Sequence, residues 1–462
     1  MKAHPHDTIV AVSTPHGRGA IGIVRLSGRR ALEIAGCLTR AAPGPPIEES
    51  ATHTLRQRRL SDGGILLDEA LVAVMRGPGS YTGEDVVEFH CHGNPLVLAR
   101  VLEACLREGA RIALPGEFTR RAFLNGRMDL SQAEAVAGII DAESGKALEL
   151  ALRQADGALS QRIGKFREEL LDLLADLEAR IEFPEDVSTD QGGDIRSGLA
   201  RAQERCRLLD AAGTAGMRAR EGARVVIVGK PNAGKSCLFN ALLHADRALV
   251  TPQRGTTRDT VEETVELDGI PVTFVDTAGI CGDHLDEAGR AGVARSKAAL
   301  ERADLALFVA DSSVPWSEED REIAALLAER KVVLVLNKND LAKRLDVGRL
   351  PSEVKGWKSL SVSAKTEEGI ESLRSIINNM NKLESYSNGS ESAILFSVQQ
   401  AQSLKKCAEA IDSALDLARS GNQEELVAVE LNRALAALGD IVGETASEEL
   451  LDRIFSRFCI GK

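Results

Sequence analysis

Several features are scarce in this sequence, and each absence narrows the class of protein. Aromatic residues make up only 3% of the chain, and no uninterrupted apolar run is long enough to cross a bilayer. Residues 1–7 lack the apolar core of a secretion signal. The eight cysteines include no CxxC pair, which argues against a disulfide framework and a zinc knuckle. We therefore expect a cytoplasmic protein with no membrane span.

Positive charge is also scarce. The chain has 57 Lys and Arg against 69 Asp and Glu, a formal net charge of -12, which disfavours non-specific wrapping of nucleic acid. Any RNA contact must therefore use a local basic patch. One modest basic segment could contact tRNA, although a solvated face explains it equally well. Its members are Arg107, Arg111, Arg120, Arg121 and Arg127.

The balance of 44% hydrophobic and 27% charged residues is typical of globular proteins, and 462 residues predict about two to four domains. Near the beginning, residues 8–12 and 21–26 have strand character on either side of a glycine-rich turn. A further strand is predicted at 86–90 and a helix at 96–106. These patterns indicate a mixed α/β unit that ends near residue 125.

Helical patterns dominate two later stretches. From Leu148 to residue 181, apolar residues recur at spacings of three and four until Pro184, which predicts one long packed helix. Helical sequence returns near Leu395 and continues almost to the end.

Between these stretches the pattern changes to short buried strands that alternate with helices. Such alternation is typical of a doubly wound α/β sheet. An Asp268-Gly269 turn signal also predicts a hairpin. We therefore infer a helical domain that is split by an inserted α/β domain. The strands are predicted at 225–228, 305–309, 332–336 and 360–362, and the hairpin at 264–267 and 272–275.

Residues 229–236, with the sequence GKPNAGKS, follow a strand and precede a helix, which is the context that a phosphate-binding loop requires. Glycines allow backbone N–H groups to converge on phosphate oxygens. Lys235 would place a cation on the outer phosphates, and the Ser236 hydroxyl can ligate magnesium. Alone, this loop would bind ATP or GTP.

Four further elements favour GTP. Residues 276–279 (DTAG) end a strand, where Asp276 can reach magnesium through water. In residues 337–340 (NKND), the Asp340 carboxylate can accept two hydrogens from guanine, which adenine does not offer. Residues 363–365 (SAK) would close the base pocket, and Thr257 of the GTTRD segment would complete the magnesium shell. The order and separation of these elements are those of a Ras-like GTPase domain.

The sequence resembles the MnmE (TrmE) family of tRNA-modification GTPases over essentially its whole length. The family's Cys-Ile-Gly-Lys ending stands at 459–462, and segments at 81–85 (YTGED), 115–118 (PGEF) and 123–125 (FLN) also match. The resemblance implies a Ras-like G domain inserted in a helical domain and preceded by a mixed α/β folate-binding domain. The implied segments are 1–125 for the folate-binding and dimerisation domain, 126–217 and 381–462 for the helical domain, and 218–380 for the G domain.

The resemblance further implies a potassium-dependent GTPase that uses Mg²⁺ and works as a homodimer. With the FAD-binding partner MnmG (GidA), such proteins add an aminomethyl or carboxymethylaminomethyl group to the wobble uridine of certain tRNAs. The one-carbon unit comes from formyl- or methylene-tetrahydrofolate.

Site residues follow from the same resemblance. Arg25, Glu88, Arg127 and Lys462 fall where the family contacts the folate. Cys459 is a candidate reactive thiol, but a buried structural role is favoured because cysteine is among the most commonly buried residues. Potassium would be held by Asn232, Thr251, Gln253 and Thr256, and magnesium by Ser236 and Thr257. The full set expected around GTP is Asn232, Ala233, Gly234, Lys235, Ser236, Cys237, Thr251, Gly255, Thr256, Thr257, Asp276, Thr277, Ala278, Gly279, Asn337, Lys338, Asp340, Ser363, Ala364 and Lys365.

One departure concerns the catalytic residue. The family's water-orienting glutamate corresponds to Gly289 here, so we expect Asp286 or Glu287 to replace it. Two other functions therefore stay open: a regulatory or assembly GTPase, and a weakly hydrolysing scaffold, both without one-carbon chemistry. A metal site at His90, Cys91 and His92 is disfavoured, because three successive strand residues cannot all face one ion.

Overall fold

The structure is a computed structural model that describes residues 7–40, 44–182, 195–244, 261–267, 269–276, 299–346, 350–381, 396–420, 424–444 and 447–462. The chain forms two compact units. The first unit contains Met1–Ala137, Gln154–Cys206 and Gln402–Lys462, and the second contains Gly138–Arg153 and Arg207–Ala401. The chain therefore leaves and re-enters the first unit twice.

The first unit is built on a six-stranded sheet with the order β3-β4-β5-β2-β1-β6. All neighbouring strands are antiparallel except β1 and β6, which are parallel. Alternate strand residues such as Val24, Val72 and Phe89 face a core that is closed by helices α1 and α2. The strands are β1 (Ile9–Val12), β2 (Ile21–Ser27), β3 (Thr54–Asp62), β4 (Ile65–Met75), β5 (Val86–His92) and β6 (Arg111–Ile112), and the helices are α1 (Ala31–Thr39) and α2 (Pro95–Arg107).

The sequence predicted strands β1, β2 and β5 and helix α2 to within a few residues. The sequence pattern did not predict β3 and β4. In these two strands apolar residues also occur at exposed positions, which interrupts the alternation of apolar and polar residues that marks a strand. Leu55 is 54% exposed and Ile65 is 68% exposed, so neither apolar residue lies on the face of its strand that packs in the core. Short α3 (Glu117–Leu124) follows β6.

The predicted single helix from 148 to 181 is wrong. The structure has α4 (Leu130–Ile140), α5 (Gly145–Ala155) and then α6 (Ala158–Glu182). Gly157 separates the last two helices with a φ of +88°, a left-handed conformation that glycine tolerates. The apolar spacing continues across the break because both helices bury a face, and spacing alone does not reveal a turn between them.

Further long helices follow, and the sequence predicted those after residue 395 but not the one that begins at Ile195. Helix α7 (Ile195–Glu221) runs from the first unit into the residues of the second. In the first unit, Leu130 of α4 packs with Phe455 and Phe458 near the chain's last residues. Three helices follow the second sheet in the sequence: α12 (Val398–Ser420), α13 (Glu424–Val442) and α14 (Glu448–Phe455).

The second unit contains a six-stranded sheet with the order β12-β11-β10-β7-β9-β8. Only edge strand β8 is antiparallel to its neighbour. Along β7, Val225 and Ile227 face one apolar cluster, while Val226 and Val228 face the other. Helices cover both faces, which confirms the predicted doubly wound sheet. The elements are β7 (Ala223–Val228), α8 (Lys235–His244), β8 (Val261–Leu267), β9 (Ile270–Asp276), β10 (Leu305–Asp311), α9 (Glu318–Leu327), β11 (Val332–Asn337), α10 (Ser352–Lys355), β12 (Lys358–Ser361) and α11 (Ile370–Asn381).

Within the described ranges, every helix is too short or too polar to span a membrane.

Candidate functional site

The predicted phosphate loop connects β7 to α8 at the carboxyl ends of the parallel strands. Asn232 and Gly234 have φ angles of +63° and +93°, so the loop turns sharply before α8 begins at Lys235. A Cβ atom on Gly234 would lie 2.3 Å from Nδ2 of Asn337, which leaves no space for a side chain. The loop therefore presents backbone N–H groups and a helix N-terminus, the arrangement that binds phosphate groups.

Lys235 is only 8% exposed although it carries a charge. Its Nζ donates hydrogen bonds to the carbonyl oxygens of Gly229 and Lys230, each at 2.9 Å. These contacts hold the ammonium group inside the loop rather than in solvent. Ser236 and Cys237 are exposed in the first turn of α8. The loop thus combines a fixed cation with an accessible hydroxyl.

A second lysine of the loop has a partner that sequence reasoning missed. Lys230 Nζ lies 2.6 Å from Oδ2 of Asp320 and donates to Oγ of Ser317 at 2.9 Å. Asp320 is 2% exposed and forms a capping box with Ser317 at the start of α9. The Ser-x-x-Asp pattern of a helix start was visible in the sequence, but not its distance to the loop.

Asn337 joins the phosphate loop to the predicted base pocket. Its Nδ2 donates to the carbonyl of Ala233 at 2.9 Å, and its Oδ1 accepts from the backbone N–H of Ala364 at 3.0 Å. Asp340 accepts a hydrogen bond from the Ser363 hydroxyl at 2.7 Å. The structure thus brings together residues from three motifs that the sequence identified separately.

Lys338 is held by an acidic residue at the end of β10. It has a φ of +62°, and its Nζ lies 2.6 Å from Oδ2 of Asp311. Burial favours the neutral form of Asp311, but hydrogen bonds from Lys338 and Ser313 outweigh it and lower the pKa of this carboxyl. Asp311 is therefore charged and fixes the Lys338 stem beside the base pocket, while Lys365 is exposed.

Other predicted nucleotide residues cannot be placed in the same way. Asp276 is the last residue of β9, and its backbone is paired with Ile227 and Val261. Eleven predicted positions lie outside the described residues. They are Thr251, Gln253, Gly255, Thr256, Thr257, Thr277, Ala278, Gly279, Asp286, Glu287 and Gly289.

The first unit has a second candidate site around Arg25 and Glu88. These residues face each other on β2 and β5, and Arg25 Nε lies 2.7 Å from Glu88 Oε1. The other carboxylate oxygen of Glu88 lies 3.0 Å from Nε2 of His90. The Arg25 guanidinium is 6.0 Å from the Tyr81 ring centre and 5.6 Å from that of Phe118, within range of cation–π attraction.

Arg25, Glu88, Tyr81 and Phe118 form what we call the Arg25–Glu88 cluster. The last four residues of the sequence lie against it. The Gly461 carbonyl accepts from Arg25 Nη1 at 3.3 Å and from the Ser13 hydroxyl at 3.1 Å. The carbonyl of Lys462 accepts from the Phe118 N–H at 3.2 Å, which fixes Lys462 next to α3. Cys459 is exposed. The structure thus brings Arg25, Glu88 and residues 459–462 together.

Arg127, the remaining predicted folate-binding residue, has no contact with Arg25 or Glu88 among those that the structure describes. It is exposed and follows Gly126, whose φ is +69°. Its Cγ lies 3.4 Å from where a Cβ on Gly83 would be. The contacts of the Arg25–Glu88 cluster do not include it.

The His90, Cys91 and His92 side chains do not form a metal site. His92 Nδ1 lies 2.7 Å from Asp68 Oδ1 and Cys91 is buried on the opposite face, so this trio does not converge. Among the described residues, no group of His, Cys, Asp or Glu could hold a metal ion.

Four of the five arginines of the basic segment contact carboxylates, which weakens the interpretation of this segment as an RNA surface. The pairs are Arg107–Asp62, Arg111–Glu117, Arg120–Asp452 and Arg121–Glu84.

Comparison with known proteins gives matches along nearly the whole chain. Residues 8–127 match the family "GTP-binding protein TrmE N-terminus", and residues 130–459 match "MnmE helical domain". The "tRNA modification GTPase MnmE" of Symbiobacterium thermophilum is 45% identical over 460 residues, covering 99% of each chain. The protein of the same name from Heliobacterium modesticaldum is 44% identical over 464 residues, again covering 99% of each.

Among solved structures, the chain is similar to the G domain of the T. maritima FeoB iron transporter, at 27% identity over 35% of this chain and 99% of that one. The TM-score of 0.27 is too low to bear on the fold. The full-length relatives and the match over 130–459 are decisive. This chain belongs to the MnmE family of tRNA modification GTPases.

Proposed function

We propose that this chain binds and hydrolyses GTP and that hydrolysis supports tRNA modification. The observation that carries the proposal is the position of Asn337, which is hydrogen-bonded to Ala233 of the phosphate loop and to Ala364 of the base pocket. One side chain thereby fixes the distance between the phosphate and base ends of a nucleotide site. Both named relatives are tRNA modification GTPases.

Guanine selection rests on Asp340. Its carboxylate offers two acceptor oxygens to the N1–H and N2–H₂ groups of guanine, and the Ser363 hydroxyl orients it. Substitution Asp340→Asn replaces one acceptor with a donor, which suits xanthine, whose C2 carries an oxygen. We expect affinity for GTP to fall about 100-fold, the effect of leaving buried polar groups unmatched, and affinity for xanthosine triphosphate to rise.

Equilibrium binding with both nucleotides tests this assignment. Equal weakening of both triphosphates would indicate a folding defect, and unchanged GTP affinity would overturn the role of Asp340. The triphosphate that gains affinity serves as the internal control for folding.

Residues of the phosphate loop fit a magnesium-bound triphosphate. The Ser236 hydroxyl is exposed at the start of α8, where a bound Mg²⁺ would take it as a ligand, together with Thr257. Potassium would be held by Asn232, Thr251, Gln253 and Thr256, as the family resemblance implies. Such cations supply positive charge beside the phosphates as charge develops during hydrolysis.

Hydrolysis of GTP in potassium chloride and in sodium chloride tests the potassium proposal. We expect turnover to be faster in potassium, with Asp286 or Glu287 orienting water in place of the glutamate expected at Gly289. Equal rates in the two salts would exclude potassium dependence. Tight GTP binding without turnover in either salt would favour the scaffold function.

We further propose that the first unit handles a one-carbon folate, either formyl- or methylene-tetrahydrofolate. Arg25 and Glu88 have side chains that are 22% and 15% exposed, so both can meet a ligand while they stay paired. Arg25 and Lys462 suit the carboxylates of a folate, and Glu88 suits the N–H donors of its pterin. Arg127 is the fourth proposed folate-binding residue, and Cys459 is proposed separately as a reactive thiol.

The wider proposal follows the family resemblance. The chain would act in the cytoplasm as a homodimer with the FAD-dependent partner MnmG on the wobble uridine of tRNA. Its G domain, residues 218–380, would be inserted between helical segments 126–217 and 381–462, after a folate-binding domain at 1–125. A regulatory GTPase needs no folate, so calorimetry with formyl-tetrahydrofolate distinguishes the two functions: absence of binding would favour the regulatory one.

A further inference from the structure

Two cysteines from distant parts of the sequence meet inside the first unit. Sγ of Cys206 lies 3.8 Å from Sγ of Cys407. The two residues are 3% and 0% exposed. A disulfide bond has a sulfur–sulfur distance of about 2.05 Å, so the sulfur atoms need to approach by roughly 1.8 Å. Rotation of either side chain about its Cα–Cβ bond moves the sulfur by a distance of that order.

The surrounding helices hold this pair in register. Cys206 lies on α7 and Cys407 on α12, and two further contacts connect the same helices. Arg196 Nε donates to the carbonyl of Ala418 at 2.9 Å, and Gln203 Nε2 donates to Asp412 Oδ1 at 2.7 Å. Residue numbers rise along one helix as they fall along the other, so the helices are antiparallel. The cysteine contact is therefore one of a series along a helix pair.

The position of the pair in the chain gives a bond between them a defined consequence. Cys206 is the last residue of the first unit before the chain enters the second unit at Arg207. The chain returns at Gln402, five residues before Cys407. A covalent bond between the two sulfur atoms would close a loop that contains residues 207–401 of the second unit.

We propose that Cys206 and Cys407 form a redox-sensitive dithiol, which a peroxide oxidises to a disulfide that joins α7 to α12. One thiolate attacks a peroxide oxygen, which breaks the O–O bond and gives a sulfenic acid and one water. The sulfur of the second cysteine then displaces the sulfenic oxygen as a second water. The dithiol loses two protons and two electrons, and hydrogen peroxide takes up both.

The environment sets the speed of this reaction. The contact with Cys206 and burial both raise the pKa of the Cys407 thiol. A protonated thiol is a poor nucleophile, so oxidation requires transient opening of the helix pair. We expect the disulfide to form more slowly than oxidation of the exposed thiols of Cys237 and Cys459, and to be reversible by a dithiol reductant.

Peptide mapping of the full chain tests the proposal. The protein is treated with hydrogen peroxide, its remaining thiols are alkylated, and it is digested without reduction for mass spectrometry. We expect a cross-linked peptide pair that contains Cys206 and Cys407, has lost two hydrogen atoms, and separates on reduction. The oxidised chain should also migrate faster in a denaturing gel without reductant, because the closed loop makes the unfolded chain more compact. A Cys407→Ser variant should lose both signals.

Cys91 provides an internal control, since it is 2% exposed in the core of the first sheet. If Cys206 and Cys407 are still recovered as free thiols after peroxide treatment many times longer than the exposed cysteines need to react, or are recovered as separate higher oxidation states, the proposal is wrong. Oxidation of Cys91 at the same rate as the pair would show general unfolding and would also overturn it. These wild-type measurements decide the question even if Cys407→Ser does not fold.

Discussion

The two candidate sites of this chain are assembled in different ways. The candidate nucleotide site of the second unit lies at the ends of parallel strands, and each described part is a short segment that directly follows its strand. The Arg25–Glu88 cluster of the first unit draws its parts from β2, β5, α3 and the last residues of the chain. The first site depends on local loop geometry, and the second depends on tertiary packing.

This difference predicts how each site responds to change. A substitution in the phosphate loop should affect nucleotide chemistry and leave the first unit intact. A substitution in the packing around α3 should affect the Arg25–Glu88 cluster through the stability of its unit. A substitution in one site that altered the other would contradict this difference.

Lys235→Ala should have the largest effect. The variant loses the cation that is held by the carbonyls of Gly229 and Lys230. GTP hydrolysis should fall by about 10² to 10³, as for the loss of a fixed donor to developing negative charge. Single-turnover kinetics measure the change, and Lys358→Ala on exposed β12 is the matched control. Unchanged folate binding would support independent sites, whereas near-normal hydrolysis would contradict the assignment of this loop.

Glu117→Gln should destabilise the first unit. Glu117 is 3% exposed and accepts from both Arg111 Nη atoms at 2.9 and 2.7 Å, from Arg121 at 3.2 Å and from the Leu114 N–H at 2.8 Å. Removing its charge leaves buried Arg121 and half-buried Arg111 without their full partner, at a cost of about 3 kcal/mol of unfolding free energy. Urea unfolding followed by a probe in the first unit measures this cost, with exposed Glu103→Gln as control.

The same carboxylate makes a pH-dependent contribution. Burial favours its neutral form, but hydrogen bonds from Arg111 and Leu114 and the charge of Arg121 outweigh burial and lower the pKa of Glu117 below 4.5. Since the pKa is lower in the folded state, the stabilisation is present above about pH 4.5 and is lost as pH falls through the folded pKa. The gap in stability between wild type and Glu117→Gln should therefore narrow below pH 4.5. A constant gap would contradict this origin.

Arg25→Ala should have a smaller and more selective effect. It removes the ion pair with Glu88 and the contacts with Tyr81 and Phe118. We expect affinity for formyl-tetrahydrofolate to fall about tenfold or more, the effect of one charge-assisted contact. GTP hydrolysis should stay unchanged. Calorimetry measures the affinity, and Arg18→Ala, on an exposed residue of the preceding turn, is the control. Equal affinity of variant and wild type would remove Arg25 from the site.

Sequence patterns predicted much of the second unit because its information is local. Each of β7 and β11 is a short apolar run followed directly by a loop of the predicted nucleotide site, so strand and loop were found together. The Arg25–Glu88 cluster could be proposed only from the family resemblance. Arg25 and Glu88 are 63 residues apart, and no spacing rule pairs two charged residues on neighbouring strands.

Where prediction failed, the deciding contacts were distant in sequence or absent from the pattern. The break at Gly157 was hidden because the apolar periodicity of α5 continues into α6. In the sequence, Asp320 is marked only by its place in a Ser-x-x-Asp pattern, and only the fold places its carboxylate 2.6 Å from Lys230 Nζ. Helix caps and breaks are visible as residue types, but their partners are set by tertiary structure.

Glu266→Ala should have the smallest effect and refines the comparison, because it tests a long-range contact in the second unit. Glu266 on β8 accepts a hydrogen bond from the backbone N–H of Gly145 at 3.0 Å, at the start of α5. An acidic group at a helix N-terminus satisfies a backbone donor and interacts favourably with the helix dipole, an effect of about 1 kcal/mol. Amide hydrogens in the first turn of α5 should therefore exchange about fivefold faster in the variant. Hydrogen exchange with mass spectrometry resolves this region, and Glu263→Ala on the opposite face of β8 is the matched control. Faster exchange that spreads to β7 and the phosphate loop would show that the nucleotide site also depends on tertiary packing, and the contrast between the two sites would then be one of degree.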